Sequence, residues 1–115
     1  MKIDELMIDD WVVGRSGEPF QIKIIDPDFL YWDEIQPIPL THEILVKLGF
    51  ETQPNIGYII DDWDGNQIIY DSWNHNLRII KNYKTCLDIE TFNDLAVHEL
   101  QHALKLCGIE KKIIL

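Results

Sequence analysis

The sequence predicts an α+β fold in which short antiparallel strands are interrupted by one small helix and closed by a longer one. Three observations carry that expectation. Short β-prone runs separated by turn residues fill residues 1–40 and 56–81, a punctuated helical segment covers residues 41–49, and a strongly amphipathic one covers residues 91–107. Strands grouped together, with no regular strand–helix alternation, point to antiparallel pairing.

In residues 1–40, Trp11-Val12-Val13 is a compact β-prone run and Arg15-Ser16-Gly17-Glu18-Pro19 a turn cluster. Residues 20–24 alternate apolar and polar, the period of a half-buried strand. After a turn at Asp26-Pro27-Asp28, residues 29–35 are expected to add a third strand and complete a small curled sheet. Pro37 and Pro39 then hold residues 36–40 extended, because proline fixes its own φ and pushes its predecessor out of helical space.

The first helix has clear punctuation. Thr41 is a favourable N-cap, Leu40 and Leu45 are spaced as a hydrophobic staple, and Glu43 in the first turn suits the helix dipole. Ile44, Leu45 and Leu48 form its apolar stripe, Gly49 supplies the C-terminal glycine, and Phe50 can fold back on the helix. A β meander follows over residues 56–81. Tyr58-Ile59-Ile60 is one strand and residues 67–70 the next, joined by Asp62-Trp63-Asp64-Gly65-Asn66 with Asp-Gly suited to positive φ. Leu77-Arg78-Ile79-Ile80 is the third strand.

The second helix is predicted over residues 92–106, capped by Thr91 with Asp94 three residues on and ended by Gly108. At 100° per residue, Leu95, Leu106, Phe92, Ala103, Ala96, Cys107, Leu100, Leu104 and Val97 fall in one arc about 200° wide, which predicts a largely buried helix. Glu99 falls inside that arc, and a carboxylate facing a core needs a partner. Ile113-Ile114-Leu115 is expected as a short edge strand. The 115 residues fit one domain able to bury its own core.

Ten Lys and Arg stand against twenty Asp and Glu, a formal net charge of -10. Such a surface repels phosphate backbones and anionic lipids, so direct nucleic-acid or membrane binding is not expected. It suits a cation, a basic protein partner or simple solubility. No run approaches the length of a membrane span, and the first residues lack the apolar core of a signal peptide, which predicts cytoplasmic residence. Cys86 and Cys107 have no CxxC spacing and are expected as reduced thiols, with a single disulfide as the alternative. Trp11, Trp32, Trp63 and Trp73, with Tyr31, Tyr58, Tyr70 and Tyr83, sit among carboxylates rather than lysines, which points to core packing or a protein-binding patch.

One segment carries enzymatic chemistry. His98-Glu99-Leu100-Gln101-His102 matches the HExxH pattern, in which histidines four residues apart on a helix ligate zinc and the glutamate acts as general base on a metal-bound water. The extended form of the motif fails, because Lys105 stands where glycine is due and Gly108 where histidine is due. A third ligand from His42 or His75 would have to come through the fold, and Glu110 is too close in sequence to swing back. Asp62 to Asn66 resembles a calcium loop, but alignment on Gly65 puts Ile60 first and Asp71 twelfth, so a polar hairpin turn is the better reading.

Three phrases occur together: Glu5-Leu6-Met7-Ile8-Asp9-Asp10-Trp11-Val12, then Pro37-Ile38-Pro39-Leu40-Thr41 running into Leu48-Gly49-Phe50, then Val97-His98-Glu99-Leu100-Gln101. In order and spacing they resemble a family of small proteins of Bacteroidetes and their phages and prophages, which carry "EL-x-I-x-N-W/Y-V", "PIPLT…LGF" and "VH-Q/E-LQ-N". Members commonly have Asn at the position of His102 and often Gln at that of Glu99. The resemblance implies that the HExxH match is incidental to a structural helix, and it carries over no activity. The expectation is therefore a non-enzymatic accessory or interaction domain of phage or prophage type, with no cofactor. It would meet a protein partner through an acidic, aromatic-bearing surface, and its composition is compatible with homo-oligomers. One alternative is a minimal zinc hydrolase, with His98 and His102 as metal ligands and Glu99 as catalytic base. Another is an acidic mimic of nucleic acid that occupies a host DNA-binding protein.

Overall fold

Two antiparallel sheets and two helices build the computed structural model, which describes residues 6–23, 34–55, 57–61, 65–91, 95–109, 111 and 113–115. The first sheet joins β1 (Trp11–Val13), β2 (Pro19–Gln21) and β3 (Gln36–Pro37) in the order β2-β1-β3. Val12 stands between Phe20 and Pro37 in the register and is fully buried. With Leu6, Ile22 and Ile35 it forms a small core of its own. The expected strand over residues 29–35 lies mostly outside the described residues. The pairing that is described falls later, on Gln36 and Pro37.

Helix α1 (His42–Lys47) forms as its punctuation predicts. The Thr41 side chain accepts from the Ile44 amide. At the other end the Gly49 amide donates to Val46 and the Phe50 amide to Leu45, the paired bonds of a Schellman ending, with Gly49 at φ +99°. Leu40, Leu45, Leu48 and Phe50 are all buried, so staple and cap together press the helix onto the core.

The second sheet has five strands where the sequence predicts three. It runs as a meander in strict sequence order: β4 (Glu51–Gln53), β5 (Gly57–Asp61), β6 (Gln67–Asp71), β7 (Asn76–Lys81) and β8 (Lys84–Glu90). The three central strands are those read from their alternation. Ile59, Ile68, Tyr70, Leu77 and Ile79 are buried between more exposed neighbours. The edge strands escaped because burial does not shape their sequences: all but Gln53 and Leu87 of their residues are exposed. Strand β8 also carries a bulge. Ile79 faces Leu87 while Ile80 faces Thr85, which leaves Cys86 as an extra residue.

Helix α2 (Val97–Leu106) starts later than predicted. Thr91 is not its cap, and residues 92–94 lie outside the described residues. The N-cap is Ala96, held extended at φ -94° and ψ 159°. The reason is tertiary. Leu95 and Ala96 are taken up by the proline segment: the Leu40 amide donates to Leu95, the Val97 amide donates to Ile38, and Pro39 bridges Ala96. The Leu95 amide in turn donates to the hydroxyl of buried Tyr70. This pairing with residues 38–40 overrides the local capping signal at Thr91. Along the helix, Val97, Leu100, Ala103, Leu104 and Cys107 join the main core with Leu45, Leu77 and Ile79. Each fully buried leucine there contributes roughly 1.5–3 kcal/mol. The predicted arc is narrower at its end, where Leu106 points outward at 77% exposure.

The tail residues Ile113 to Leu115 form no strand. The Ile113 carbonyl instead accepts the indole N–H of Trp11, so a side chain, not a sheet ladder, ties the tail to β1.

Candidate functional site

The HExxH-like segment lies on α2 and faces the first sheet, and each of its polar side chains has a structural task. Gln101 comes first in reach. Its amide oxygen accepts the Trp11 backbone N–H at 2.8 Å and its amide nitrogen donates to the Asp9 carbonyl at 2.8 Å. One side chain thus satisfies the backbone on both sides of Asp10, as a neighbouring strand would.

Asp10 itself is 2% exposed. A buried carboxylate is costly unless its oxygens are hydrogen-bonded. Asp10 Oδ2 accepts the Met7 amide at 2.8 Å, closing the turn before β1, and meets His102 Nε2 at 2.7 Å. His98 is also buried, and its ring stands edge-on to that of His102, with centroids 5.6 Å apart and planes at 78°.

Glu99 differs from the expectation. It does not face the core; it is exposed, and its Oε1 accepts the Ala96 backbone N–H at 3.0 Å. That is the glutamate half of a capping box, reaching back from the third helical position. The shift of the helix start to Val97 explains the change, because it puts Glu99 in the first turn, where a carboxylate closes the helix end.

Set against the zinc reading, the His98 and His102 rings are adjacent, but His102 and Glu99 are engaged elsewhere. The Nε2 of His102 is directed at Asp10, and Glu99 is directed at its own helix start. The residues considered as a third ligand lie elsewhere. His42 Nδ1 is 2.9 Å from the Tyr58 hydroxyl, and His75 sits in the turn after β6, its carbonyl accepting the Thr91 amide. Glu110 is outside the described residues. Among the described residues, no three His, Cys, Asp or Glu side chains are grouped as metal ligands. Of the calcium-like loop, Asp62 to Asp64 are outside the described residues, Gly65 has φ +90°, and the Asn66 side chain accepts the Asn82 amide.

Sequence reasoning missed Asp10. Beside Asp9 nothing local singles it out, and its partner His102 is 92 positions away in the chain.

Beside this knot, the outer flank of α2 and strand β8 enclose a groove of about 1010 Å³. Met7, Leu87, Ile89, Leu95, Ala103 and Leu106 give it an apolar floor, and Glu90, Glu99, His102 and Lys105 stand around it. Ile89 is 39% and Leu106 77% exposed, two large apolar side chains in water that line the same groove. The aromatic residues divide. Tyr70 is in the core, stacked on Tyr58, and Trp11 is half-buried, while Trp73 and Tyr83 are exposed; Trp32, Trp63 and Tyr31 are outside the described residues.

No helix among the described residues is long and apolar enough to cross a membrane. Comparison with protein families, with curated proteins and with solved structures finds no match to the chain.

Proposed function

We propose that the chain is a non-enzymatic protein-binding domain, a cytoplasmic accessory protein of phage or prophage type. Its binding surface is the groove between β8 and α2, and the occupant is an extended apolar segment of a partner protein, flanked by lysine or arginine. The observation that carries this reading is the groove itself: exposed Ile89 and Leu106 both line it among further apolar side chains, with Glu90 and Glu99 beside it. Isolated surface leucines are ordinary, whereas exposed large apolar side chains that share a cleft mark a binding site.

Charge sets the partner's chemistry. The chain carries -10 overall, and Glu90 and Glu99 stand at the groove against Lys105. Complementary potentials favour a cationic partner and reject an acidic one. The backbone supports an extended ligand: β8 lies at the end of the sheet order, and beyond the bulge its residues from Leu87 onward pair regularly with β7. A segment laid along that edge would gain main-chain bonds while its side chains enter the groove.

The experiment is a calorimetric titration with two synthetic peptides that share one apolar stretch, one flanked by lysines and the other by glutamates. The lysine-flanked peptide binds at least about tenfold more tightly at low salt, and the preference shrinks as salt screens it. Leu106→Asp abolishes binding without unfolding the chain, because that side chain is already in water. Equal affinity for both peptides, or binding indifferent to Leu106→Asp, defeats the proposal.

A further inference from the structure

Strand β8 ends the order of the five-stranded sheet, and among the described residues no strand lies beyond it. From Leu87 onward its two faces differ in chemistry. Leu87 and Ile89 stand opposite Ile79 and Leu77, which are fully buried, and both line the groove against α2. Asp88 and Glu90 stand opposite Arg78 and Asn76 on the other face of the sheet. There Asp88 pairs with Arg78 at 3.1 Å, with both side chains partly in water. Glu90, the last residue of the strand, also borders the groove. Apolar and acidic side chains therefore alternate along the edge, because successive residues of a strand point to opposite faces. The alternation breaks at Cys86, like Cys107 a free thiol, which the bulge leaves outside the register.

We infer, resting on the binding reading above, that this edge takes a partner strand in which cationic and apolar residues alternate, and that it rejects a second copy of itself. Residues directly opposite each other in a strand pair share a face. An added strand therefore sends every second side chain toward the groove, beside Leu87 and Ile89, and the ones between toward the face of Asp88 and Glu90. The first set gains by being apolar. The second gains from lysine or arginine, since opposite charges across a strand pair stabilise it and like charges do the reverse. An unbroken apolar run would leave half of its side chains on the carboxylate face. The same carboxylates work against self-pairing. Laid antiparallel on its own copy and centred on Asp88, the segment sets Asp88 against Asp88. Centred on Ile89, it sets Asp88 against Glu90 twice. Centred on Leu87, it runs into the bulge at Cys86. In parallel and in register it sets each carboxylate against itself. Two chains of formal charge -10 add to that repulsion.

The test titrates the full chain by calorimetry with two synthetic peptides of identical lysine and valine content. In one the two residues alternate; in the other the valines form a block flanked by lysines. The alternating peptide is expected to bind at least about tenfold more tightly. N-methyl groups on every second residue of that peptide abolish binding in one set of positions and spare it in the other, because a strand bonds its neighbour through alternate residues. Asp88→Asn combined with Glu90→Gln, both at exposed positions, narrows the preference to about twofold or less. Equal affinity for the two peptides, or tighter binding of the blocked one, overturns the alternation and leaves the binding reading standing; binding of neither overturns both. Tolerance of N-methylation at both sets of positions overturns the added strand. Sedimentation of the chain alone should give a monomer, and a dimer that the alternating peptide dissociates would show that β8 takes its own copy and overturn the inference.

Discussion

Asp10 Oδ2 and His102 Nε2 lie 2.7 Å apart across 92 positions of sequence, and this contact joins the start of β1 to the middle of α2. Around it Gln101 grips the backbone at Asp9 and Trp11, and the Val97 and Leu40 amides bind the proline segment to the helix start. Three stretches that are distant in the chain are therefore one knot. The histidines of the HExxH-like segment sit inside it as packing and hydrogen-bonding groups.

Removing the acceptor tests that role. Asp10→Ala leaves the Met7 amide and the His102 ring without their shared oxygen in a buried place. The expected loss is about 2–4 kcal/mol, the cost of stranding buried polar partners. Urea unfolding followed by tryptophan fluorescence measures it as a lowered midpoint. The same knot role requires that His102→Ala lower stability with no change in metal content. Stoichiometric zinc in protein purified without a polyhistidine tag, lost in His102→Ala, would refute it.

Glu99 separates a capping role from a catalytic one. Glu99→Ala removes the acceptor for the Ala96 amide and should cost about 0.5–1.5 kcal/mol, the usual worth of a helix cap. Glu99→Gln keeps an oxygen at the same reach and should recover most of that loss. A general base would not be restored by an amide. Thermal unfolding of the three proteins decides it, and equal Tm values for Ala and Gln would argue against the cap.

How far these features could be read from sequence depends on where their causes lie. Helix α1 was legible from Thr41 to Phe50 because its cap, staple and glycine ending are all local. The central meander strands were legible because burial of Ile68, Tyr70, Leu77 and Ile79 leaves an alternating pattern. Strands β4 and β8 were not, since edge strands bury little and Glu51 or Asp88 carries no β signal. The start of α2 was misplaced because Leu95 and Ala96 pair with Leu40 and Pro39, 55 and 57 positions earlier. Asp10 was overlooked for the same reason: an aspartate's partner 92 residues away leaves no local trace.

Asp71 should give the fold a pH-dependent contribution. Its carboxylate accepts from the Asn74 side chain, and also from the Asn74 and Trp73 amides, shaping the turn between β6 and β7. The Asn74 side chain, then the Asn74 amide, hold its pKa below the ordinary 3.8 despite some desolvation, with help from the Trp73 amide and the His75 charge. A depressed folded pKa means stability that is complete above the unfolded value and lost as pH falls through the folded one. The difference in urea midpoint between the natural chain and Asp71→Asn should be constant above about pH 5 and shrink as pH falls below 3.8. A difference that persists unchanged to pH 2 would show that the charge contributes nothing.

Gly57 is where the sheet demands a missing side chain. It opens β5 at φ +101°, and a Cβ built there would sit 2.6 Å from the Tyr70 carbonyl oxygen and 3.2 Å from the Asp71 Cα. Both obstacles are backbone of the neighbouring strand, so neither can swing aside. Gly57→Ala should therefore add a steric clash to the cost of a positive φ, for a loss of about 3 kcal/mol or more. Gly49 is the control. It has φ +99°, nearly the same conformation, but nothing lies within 4 Å of its added Cβ. Gly49→Ala should cost only the conformational part, about 1–2 kcal/mol. Urea titrations of the two variants side by side isolate the clash as their difference. Equal losses would mean that β5 and β6 can move apart at this point, and that the close approach of Gly57 to Tyr70 does not help fix the register.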